Sequence, residues 1–304
     1  MESKPTDLTS IEDLARNDPI WQKVLDQEAD TPQIKLFSLM SRITDARVFV
    51  ADTLALYKAN SERLVARKMR GVPGLVSKPE FWKSSDGTPT EPSLETVEFL
   101  VDGMEKATKE KLEKHYPQWV LNQALVTYCT ILDSYLDSTL DAVFQHNPKL
   151  LYGLSGAKNI ELKKVIELGS IDAIVREIRA KEIRSFSNGD IVDRLDYFKS
   201  KLAIETDQLF DWEYSDKDTD RPLEGLNLKS LEDLYQQRHD IVHRDKTPIS
   251  TAEELDIIGC FFLNIGSKLA VLIRQKHQIW WDIYMMTSRN DRYNLLKAQS
   301  ESSS

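Results

Sequence analysis

Three features of the amino-acid sequence predict an all-α fold. Helix-start signals recur at Ser10, Ser230 and Ser250, each followed three residues later by an acidic residue, as in a capping box or its aspartate variant. Glycine and proline are sparse, at 11 each in 304 residues, which argues against an all-β fold built on many tight turns. Almost no segment alternates apolar and polar residues over a useful length with strand chemistry.

The N-terminal part of the chain, residues 1–90, is predicted to be a helical region followed by a loop. Its main helix lies near IKLFSLMSRITDARVFVADTLALYKANSERLVARKMR, and the loop, 71–93, is rich in Gly, Pro and Ser. The apolar spacing then predicts further helices at about 94–114, 118–146, 159–167, 171–185 and 190–203. A helix that carries QQRHDIVHRD ends before Pro248, a last helix runs from Thr251 to the high 280s, and 291–304 is expected to be a disordered tail.

Two of these helices have the pattern of a bundle core. Apolar residues follow heptad spacing in the last helix, at Leu255, Ile258, Phe262, Ile265, Leu269 and Leu272, and a similar stripe runs through 118–146. Gly259 and Gly266 lie seven residues apart in the last helix and would allow another helix to approach closely. Both helices are therefore expected to lie at the centre of the fold.

Composition narrows the possible functions and locations. The formal charge of −9 argues against a protein that binds nucleic acid through general charge, although a local basic groove is compatible with it. Cys129 and Cys260 lie in apolar helical patterns and are expected to be reduced core residues. The N-terminus lacks a secretion signal, and polar residues at 264–268 interrupt the most apolar segment. We therefore expect a cytoplasmic protein with no membrane span.

The segment QQRHDIVHRD fits three kinds of catalytic site. As H-D-x-x-H it resembles a zinc-protease motif, but the general base there is a glutamate, and His115, His146 and His277 form no pattern that supplies a third ligand. As a His-Asp doublet it suggests a metal-dependent phosphohydrolase, which needs further ligands from other helices. As Arg-x4-His, from Arg238 to His243, it suggests a ribonuclease that uses no metal.

A helical count places the charged residues of this segment on different faces. At about 100° per residue, an apolar stripe contains Leu231, Leu234, Tyr235, Ile241 and Val242, and Arg238 falls within it. His239 and His243 lie on the flank of the stripe, and Asp240 points to solvent. An arginine on a packed face needs a partner because burying it alone is costly. Asp133, Asp137 or Asp141 could provide one, although those acids more simply form a solvated face. If no acidic residue pairs with it, the arginine is expected to face a cleft or a symmetric interface that binds an anion.

The segment LEDLYQQRHDIVHRD resembles the signature of the HEPN superfamily, which comprises all-α ribonucleases and nucleotide-binding modules. Members carry R-x(4–6)-H on a bundle helix, often with a polar residue after the arginine, and Arg238, His239 and His243 occupy these places. The form of the motif is similar to bacterial HEPN ribonucleases of toxin–antitoxin and phage-defence loci. The resemblance implies a HEPN-like helical bundle over 94–290, with an insertion at about 147–229 and additional N-terminal helices.

The resemblance implies a metal-independent endoribonuclease without a cofactor, whose composite site forms between two copies in a homodimer. His243 would be the general acid or base, Arg238 would stabilise charge on the scissile phosphate, and His239 would orient the pair or contact phosphate. Arg244 is a weaker candidate for contacting RNA. The basic stretch containing Arg67, Lys68 and Arg70, beside the 71–93 loop, is a further candidate substrate surface.

Two other classes of function remain open at this stage. A HEPN bundle without catalytic activity could bind a nucleotide or protein as a regulatory module, and the acidic charge and extra N-terminal region are compatible with this. A purely structural helical scaffold would leave Arg238 on a packed face without an explanation. The expected partners of an enzyme are an RNA substrate, a second copy of the chain, and an antitoxin or defence-system protein.

Overall fold

Helices form nearly all of the regular structure, so the all-α fold class is confirmed. The computed structural model describes residues 18–29, 32–78, 80, 82–84, 87–152, 154, 166–211, 225–282, 289, 293–294, 296–298 and 300–301. Within these ranges no strand forms, and β pairing is limited to isolated bridges that join Ile34 to Trp281 and Lys83 to Pro89. The arrangement of the helices as a HEPN bundle stays a prediction.

The main elements of the described ranges are long helices with short helical turns between them. In chain order the α-helices are α1 (Pro19–Ala29), α2 (Leu36–Met69), α3 (Val72–Val76), α4 (Leu94–Glu110), α5 (Tyr116–His146), α6 (Ile171–Ser187), α7 (Ile191–Leu202), α8 (Leu228–Arg244) and α9 (Ala252–His277). Short 3-10 turns lie at Pro148–Leu151 and Thr206–Phe210. Most of the predicted helices are therefore present with bounds close to those expected.

One long helical run joins two predicted helices. A π-helical turn at Lys111–His115 connects α4 directly to α5, so the chain stays helical from Leu94 to His146. The run begins at a capped end, where the side chain of Ser93 accepts a hydrogen bond from the backbone N–H of Thr96 at 3.2 Å. A π turn has more residues per turn than an α-helix, so the side-chain positions of α5 are rotated around the helix axis relative to those of α4.

Two predicted boundaries differ from the structure, and one predicted helix lies mostly outside the described residues. The helix expected near 159–167 falls largely on 155–165, which are not described. The last helix ends at His277 rather than in the high 280s, because Gln278 adopts a left-handed φ of 59° and the chain then extends. In this extended segment the backbone N–H of Ile34 donates to the carbonyl of Trp280 at 3.1 Å, and that of Asp282 donates to the carbonyl of Ile34 at 3.1 Å.

The expectation of a disordered tail at 291–304 is wrong for the residues described there. Residues 293–294, 296–298 and 300–301 are helical. The ring of Tyr293 stacks on Trp21, with centroids 4.6 Å apart, and its hydroxyl donates to a carboxylate oxygen of Asp18 at 2.6 Å. Leu25 and Leu296 pack, with Tyr293, against the buried cluster formed by Trp21 and Val24. This segment is ordered because it covers apolar side chains of α1.

The contacts divide the chain into two compact units, whose boundaries fall inside helices. The first unit comprises Met1–Arg42, Thr130–Glu232 and Phe261–Ser304, and the second comprises Ile43–Cys129 and Asp233–Cys260. These units group residues in space, whereas the segments 1–90, 94–290 and 291–304 divide the chain by sequence. The domain boundaries near 90 and the insertion at 147–229 stay predictions about the chain.

Helix α9 has the buried seam that its heptad spacing predicts. Leu255, Ile258, Phe262, Ile265 and Leu269 are all buried, whereas Leu272, the last residue of the predicted seam, is only partly buried. Among the described residues it is the one helix long and apolar enough to cross a membrane by length and composition alone, and 50% of its most apolar window is buried inside the protein. A core helix of a folded protein has this same character.

In the first unit, Gly266 permits a close approach between helices. The hydroxyl of Tyr135 on α5 donates to the carbonyl of Gly266 at 2.8 Å, and both residues are buried. A β-carbon added at Gly266 would overlap the side chain of Leu39 on α2 and lie 3.4 Å from the ring of Tyr135. The predicted role of this glycine in close packing is therefore confirmed.

The acidic residues of α5 in the first unit are ion-paired, so the expectation that they form a solvated face is wrong. Arg194 of α7, only 4% exposed, donates to Asp133 at 2.5 Å and also to Asp137, and its guanidinium lies 4.6 Å from the ring centroid of Phe186. Arg179 of α6 pairs with Asp141 at 2.9 Å. These pairs tie α6 and α7 to α5.

The glycine contacts predict different effects of two matched substitutions. Gly266→Ala should lower the free energy of unfolding by about 1–3 kcal/mol, because the added methyl group forces Leu39 and its neighbours to move. Gly259→Ala is the control, since its β-carbon would meet its nearest neighbours at 3.4–3.5 Å, an ordinary packing distance. Alanine also favours a helix over glycine by about 1 kcal/mol, so Gly259→Ala should be neutral or stabilising. Urea unfolding followed by circular dichroism measures both, and equal losses would contradict the close approach at Gly266.

Candidate functional site

The candidate site lies on the C-terminal half of α8, in the second unit. Leu234 and Ile241 are buried, as the helical count predicts, but Val242 is 55% exposed. Adjacent residues on a helix point about 100° apart, and the buried stripe is centred on the Leu234–Ile241 side. Val242 therefore lies outside the stripe, and its expected burial is wrong. The last turn of α8 presents Val242 and His243 to solvent.

Arg238 is partly buried and lies beside an anchored tyrosine. Its guanidinium carbon is 5.8 Å from the ring centroid of Tyr235, one turn earlier on α8. The hydroxyl of Tyr235 donates to the backbone carbonyl of Cys129 on α5 at 3.4 Å, and Cys129 is buried. Tyr235 therefore ties this part of α8 to α5, and Arg238 lies on the packed side of the helix, as predicted.

His239 and His243 form an exposed pair of imidazoles. They are one turn apart on α8, their ring centroids are 4.6 Å apart, and the rings are inclined by 47°. Both residues are exposed. Imidazole is the side chain that most often serves as a general acid or base, so this exposed pair is the part of the helix that could take such a role. The structure therefore brings together Arg238, His239 and His243 over the last two turns of α8.

Asp240 is not the solvent-facing bystander that the helical count predicts, because it is the centre of a polar cluster. Its side chain is 15% exposed and accepts from Nζ of Lys246 at 2.8 Å, from Nη1 of Arg244 at 3.1 Å and from Nε2 of Gln236 at 3.1 Å. The hydrogen bond from Lys246, with a smaller one from Gln236, holds the pKa of Asp240 below its usual range, against the effect of burial. The cluster joins the end of α8 to the segment that follows it.

Arg244, a candidate for contacting RNA, is held by this cluster but remains 57% exposed. Directly after it, Asp245 has a left-handed φ of 50°, a conformation that often ends helices and that aspartate tolerates better than most residues. The backbone N–H of Lys246 then donates to the carbonyl of Asp240 at 3.3 Å. The chain turns sharply here and places the Lys246 side chain over Asp240.

A buried amide on α5 fixes the segment between α8 and α9. Asn122 is only 1% exposed. Its Oδ1 accepts from the backbone N–H of Ile249 at 3.1 Å, and its Nδ2 donates to the carbonyl of Ile249 at 3.2 Å. Gln118, one turn earlier, donates to the same carbonyl and to that of Thr247. These contacts, which we call the Asn122 clamp, lie within the second unit.

Sequence reasoning did not identify the Asn122 clamp, although a signal was present. Asn122 stands among the apolar residues of VLNQALV, where a polar side chain needs a buried partner. Its partner is a backbone group 127 residues later, which no local pattern reveals.

The basic residues predicted to contact RNA lie at the end of α2, also in the second unit. Arg67, Lys68 and Arg70 are all exposed. Nζ of Lys68 donates to the hydroxyl of Tyr116, at the start of α5, at 2.9 Å. This bond lowers the pKa of Tyr116. The basic stretch is therefore tied to the same helix, α5, that carries the Asn122 clamp.

The metal-dependent interpretations of the motif lack their further ligands within the described ranges. No group of three or more His, Cys, Asp or Glu side chains there is arranged to hold a metal ion. A zinc ion shared by His239 and His243 needs at least one more protein ligand.

Comparisons with known proteins leave the family open. No protein-family model matches the chain, and neither the curated proteins nor the solved structures contain a significant match. The resemblance to HEPN ribonucleases therefore depends on the motif of α8 alone.

The Asn122 clamp predicts a stability loss that a neighbouring substitution should not cause. Asn122→Ala should lower the free energy of unfolding by about 1–3 kcal/mol, because both backbone groups of buried Ile249 lose a partner. Gln123→Ala, the next residue and only partly buried, should change it by less than about 0.5 kcal/mol. Chemical denaturation at neutral pH compares the two variants, and equal effects would contradict the clamp.

The Asp240 cluster predicts a pH-dependent contribution to stability. Because folding lowers the pKa of Asp240, its carboxylate stabilises the folded protein above its ordinary pKa, and this contribution is lost as the pH falls through the lowered value. Asp240→Asn should therefore be less stable than the wild type at pH 7, and the difference should shrink towards pH 3. Urea midpoints across this range test the prediction, with exposed Glu98→Gln as the control. A difference that grows at acidic pH would contradict it.

Proposed function

We propose that the protein is a metal-independent endoribonuclease of the toxin–antitoxin or phage-defence type. One observation carries the proposal: a partly buried arginine and two exposed histidines share the last two turns of α8, with the imidazole centroids 4.6 Å apart. These are the groups that transesterification of RNA requires, and their order in the sequence is that of the HEPN motif. The proposed fold is a HEPN-like bundle.

The reaction needs only the substrate and these side chains. An imidazole, assigned to His243, takes the proton of the ribose 2′-hydroxyl, and the 2′-oxygen forms a bond to the adjacent phosphorus. The bond from phosphorus to the 5′-oxygen breaks, and that oxygen receives a proton from a protonated imidazole. The products are a 2′,3′-cyclic phosphate end and a 5′-hydroxyl end. Water can then open the cyclic phosphate to a 3′-phosphate.

The guanidinium of Arg238 has the chemistry to stabilise the charged phosphorane. Its planar fork can donate two hydrogen bonds to phosphate oxygens, which an ammonium group cannot match in geometry. Its position above Tyr235, which is tied to α5, supports a preorganised arginine, and such groups contribute most to catalysis. His239 would orient His243 or contact a phosphate.

A second copy of the chain would complete the proposed site. Val242 is exposed beside the histidines, so an apolar side chain is available for contact with another copy at this end of α8. In the proposed homodimer the two α8 helices meet across a two-fold axis and contribute both sets of Arg238 and His243. An enzyme of this type would act in the cytoplasm and be restrained by an antitoxin or a defence-system partner.

Cleavage of RNA in excess EDTA tests the proposal. The wild type should cleave, His243→Ala should lose about 10²–10⁴-fold in rate, and Arg238→Lys should lose about 10²–10³-fold because the fork is lost while the charge remains. His146→Ala is the matched control, since His146 is also exposed but lies on α5 in the first unit.

The measurement also separates the alternatives. Cleavage that EDTA abolishes and zinc restores would overturn the metal-independent reaction. Binding of nucleotide or protein without any cleavage would favour the regulatory module. Growth of bacteria expressing the wild type or His243→Ala gives an independent readout, because equal growth would count against a toxin.

A further inference from the structure

The C-terminal end of α2 is strongly basic in an otherwise acidic protein. From Arg63 to Arg70, four of eight residues are cationic and none is acidic. Arg63, Arg67 and Arg70 are exposed, and none of them pairs with a carboxylate in the part of the chain that the structure describes. Their charge is therefore available to an external anion.

These arginines share one groove along the helix. The groove is lined by residues of α2, including Tyr57, Asn60, Arg63 and Arg67, and by Arg70 directly after the helix. At a rise of about 1.5 Å per residue, Arg67 lies about 6 Å and Arg70 about 10 Å along the axis from Arg63. Guanidinium groups spread over about 10 Å match successive phosphates of an extended nucleic-acid strand better than they match a single compact anion.

Aromatic rings of α2 and α5 lie beside the groove. The ring centroids of Tyr57 and Tyr116 are 6.1 Å apart, and Nζ of Lys68 lies 4.9 Å from the ring centroid of Tyr116. Two lysines, Lys68 by its hydrogen bond and Lys111 by its charge, lower the pKa of Tyr116. Lys68 and Lys111 therefore add positive charge beside Tyr116.

Helical spacing on α5 places Trp119 between the contact of Tyr116 with Lys68 and the contact of Asn122 with Ile249. On α5, Tyr116, Trp119 and Asn122 are spaced by three residues. Each side chain therefore points about 60° around the helix from the one before it, and Trp119 lies in the middle. Tyr116 contacts Lys68 of α2, and Asn122 holds Ile249 in the segment between α8 and α9. Trp119 projects between these two contacts and is 58% exposed.

We propose that this surface binds single-stranded RNA. Arg63, Arg67 and Arg70 hold consecutive backbone phosphates, and Trp119 stacks on an unpaired base, which directs the strand towards the end of α8. An exposed aromatic ring beside a row of cations is the combination that single-stranded nucleic acid recognises, whereas a duplex offers no free base face. This inference rests on the proposed ribonuclease, because it gives that enzyme a path for its substrate.

Binding and cleavage can be measured separately. Fluorescence anisotropy of a labelled 12-nucleotide uridine RNA, with full-length His243→Ala protein in EDTA, reports binding alone. Adding Arg63→Ala, Arg67→Ala and Arg70→Ala should reduce the slope of log Kd against log salt by about 2, since each phosphate contact in a single strand contributes about 0.7. A matched triple variant, Lys58→Ala with Lys149→Ala and Lys201→Ala, removes three exposed lysines outside the groove and should leave the slope nearly unchanged.

Trp119→Ala should weaken binding roughly 5- to 150-fold without changing the salt slope, because stacking is not electrostatic. Trp119→Phe should restore part of the affinity. Equal losses in both triple variants would overturn the proposal, as would equal binding of a 12-base-pair RNA duplex. Tighter binding to phosphatidylserine vesicles or to polyglutamate, lost with the same arginines, would assign the surface to a membrane or an acidic protein and overturn it too.

Kinetics on the wild-type background distinguish failure of this surface from failure of the enzyme. The groove and Trp119 variants should raise KM with little change in kcat, since they bind ground state and transition state alike. If the wild type cleaves RNA and these variants leave KM unchanged, the surface is wrong and the ribonuclease stands. If the wild type does not cleave but binding depends on the arginines and Trp119, the ribonuclease is wrong and the surface stands.

Discussion

The paired hydrogen bonds between the side-chain amide of Asn122 and the backbone of Ile249 are the constraint on which the candidate site depends. They fix the segment between α8 and α9 from within a buried environment, where a lost partner is costly. The Asp240 cluster holds the other end of the same segment, because Lys246 bonds to Asp240, six residues earlier in the chain. His243 lies between Asp240 and Lys246, and the clamp at Ile249 follows shortly after, so both attachments hold a helix end that would otherwise fray. Because a displacement of about 1 Å can cost a hundredfold in rate, the catalytic role proposed for His243 would depend on both attachments.

The helices that the sequence predicts best are those whose apolar spacing extends over many turns. α2 and α5 each contain more than thirty residues, so the helical period is clear and their bounds are close to those predicted. The end of α9 is harder to predict, because Ile279, Trp280 and Trp281 continue the apolar composition past His277. The chain nevertheless leaves the helix, and Trp280 and Trp281 pair with Ile34, a contact that is remote in sequence. Val242 shows a related limit, since a helical count cannot determine where the buried stripe is centred.

The candidate site shows the same division between local and distant information. Arg238, His239 and His243 can be found by their spacing, because one helix carries all of them. Two partners of Asp240, Gln236 and Arg244, lie four residues away on the same helix, whereas Lys246 could not be found this way, since it reaches Asp240 only after the left-handed turn at Asp245. Net charge is a similarly incomplete guide, because the total of −9 for the whole chain conceals the basic end of α2. Function can depend on the local potential of such a surface rather than on the total charge.

The stacking of Tyr293 on Trp21 has a consequence for how the chain is made. The bond from Tyr293 to Asp18 joins residues 275 positions apart, and Ile34 pairs with Trp281 across a similar length of chain. A ribosome synthesises the first of each pair long before the second. The contacts of Trp21 and Val24 with Tyr293 and Leu296 therefore form only near the end of translation, after residues near 293 have left the ribosome. For a chain with the proposed activity, this order delays the finished fold, so an inhibitory partner has time to be present before the enzyme is complete.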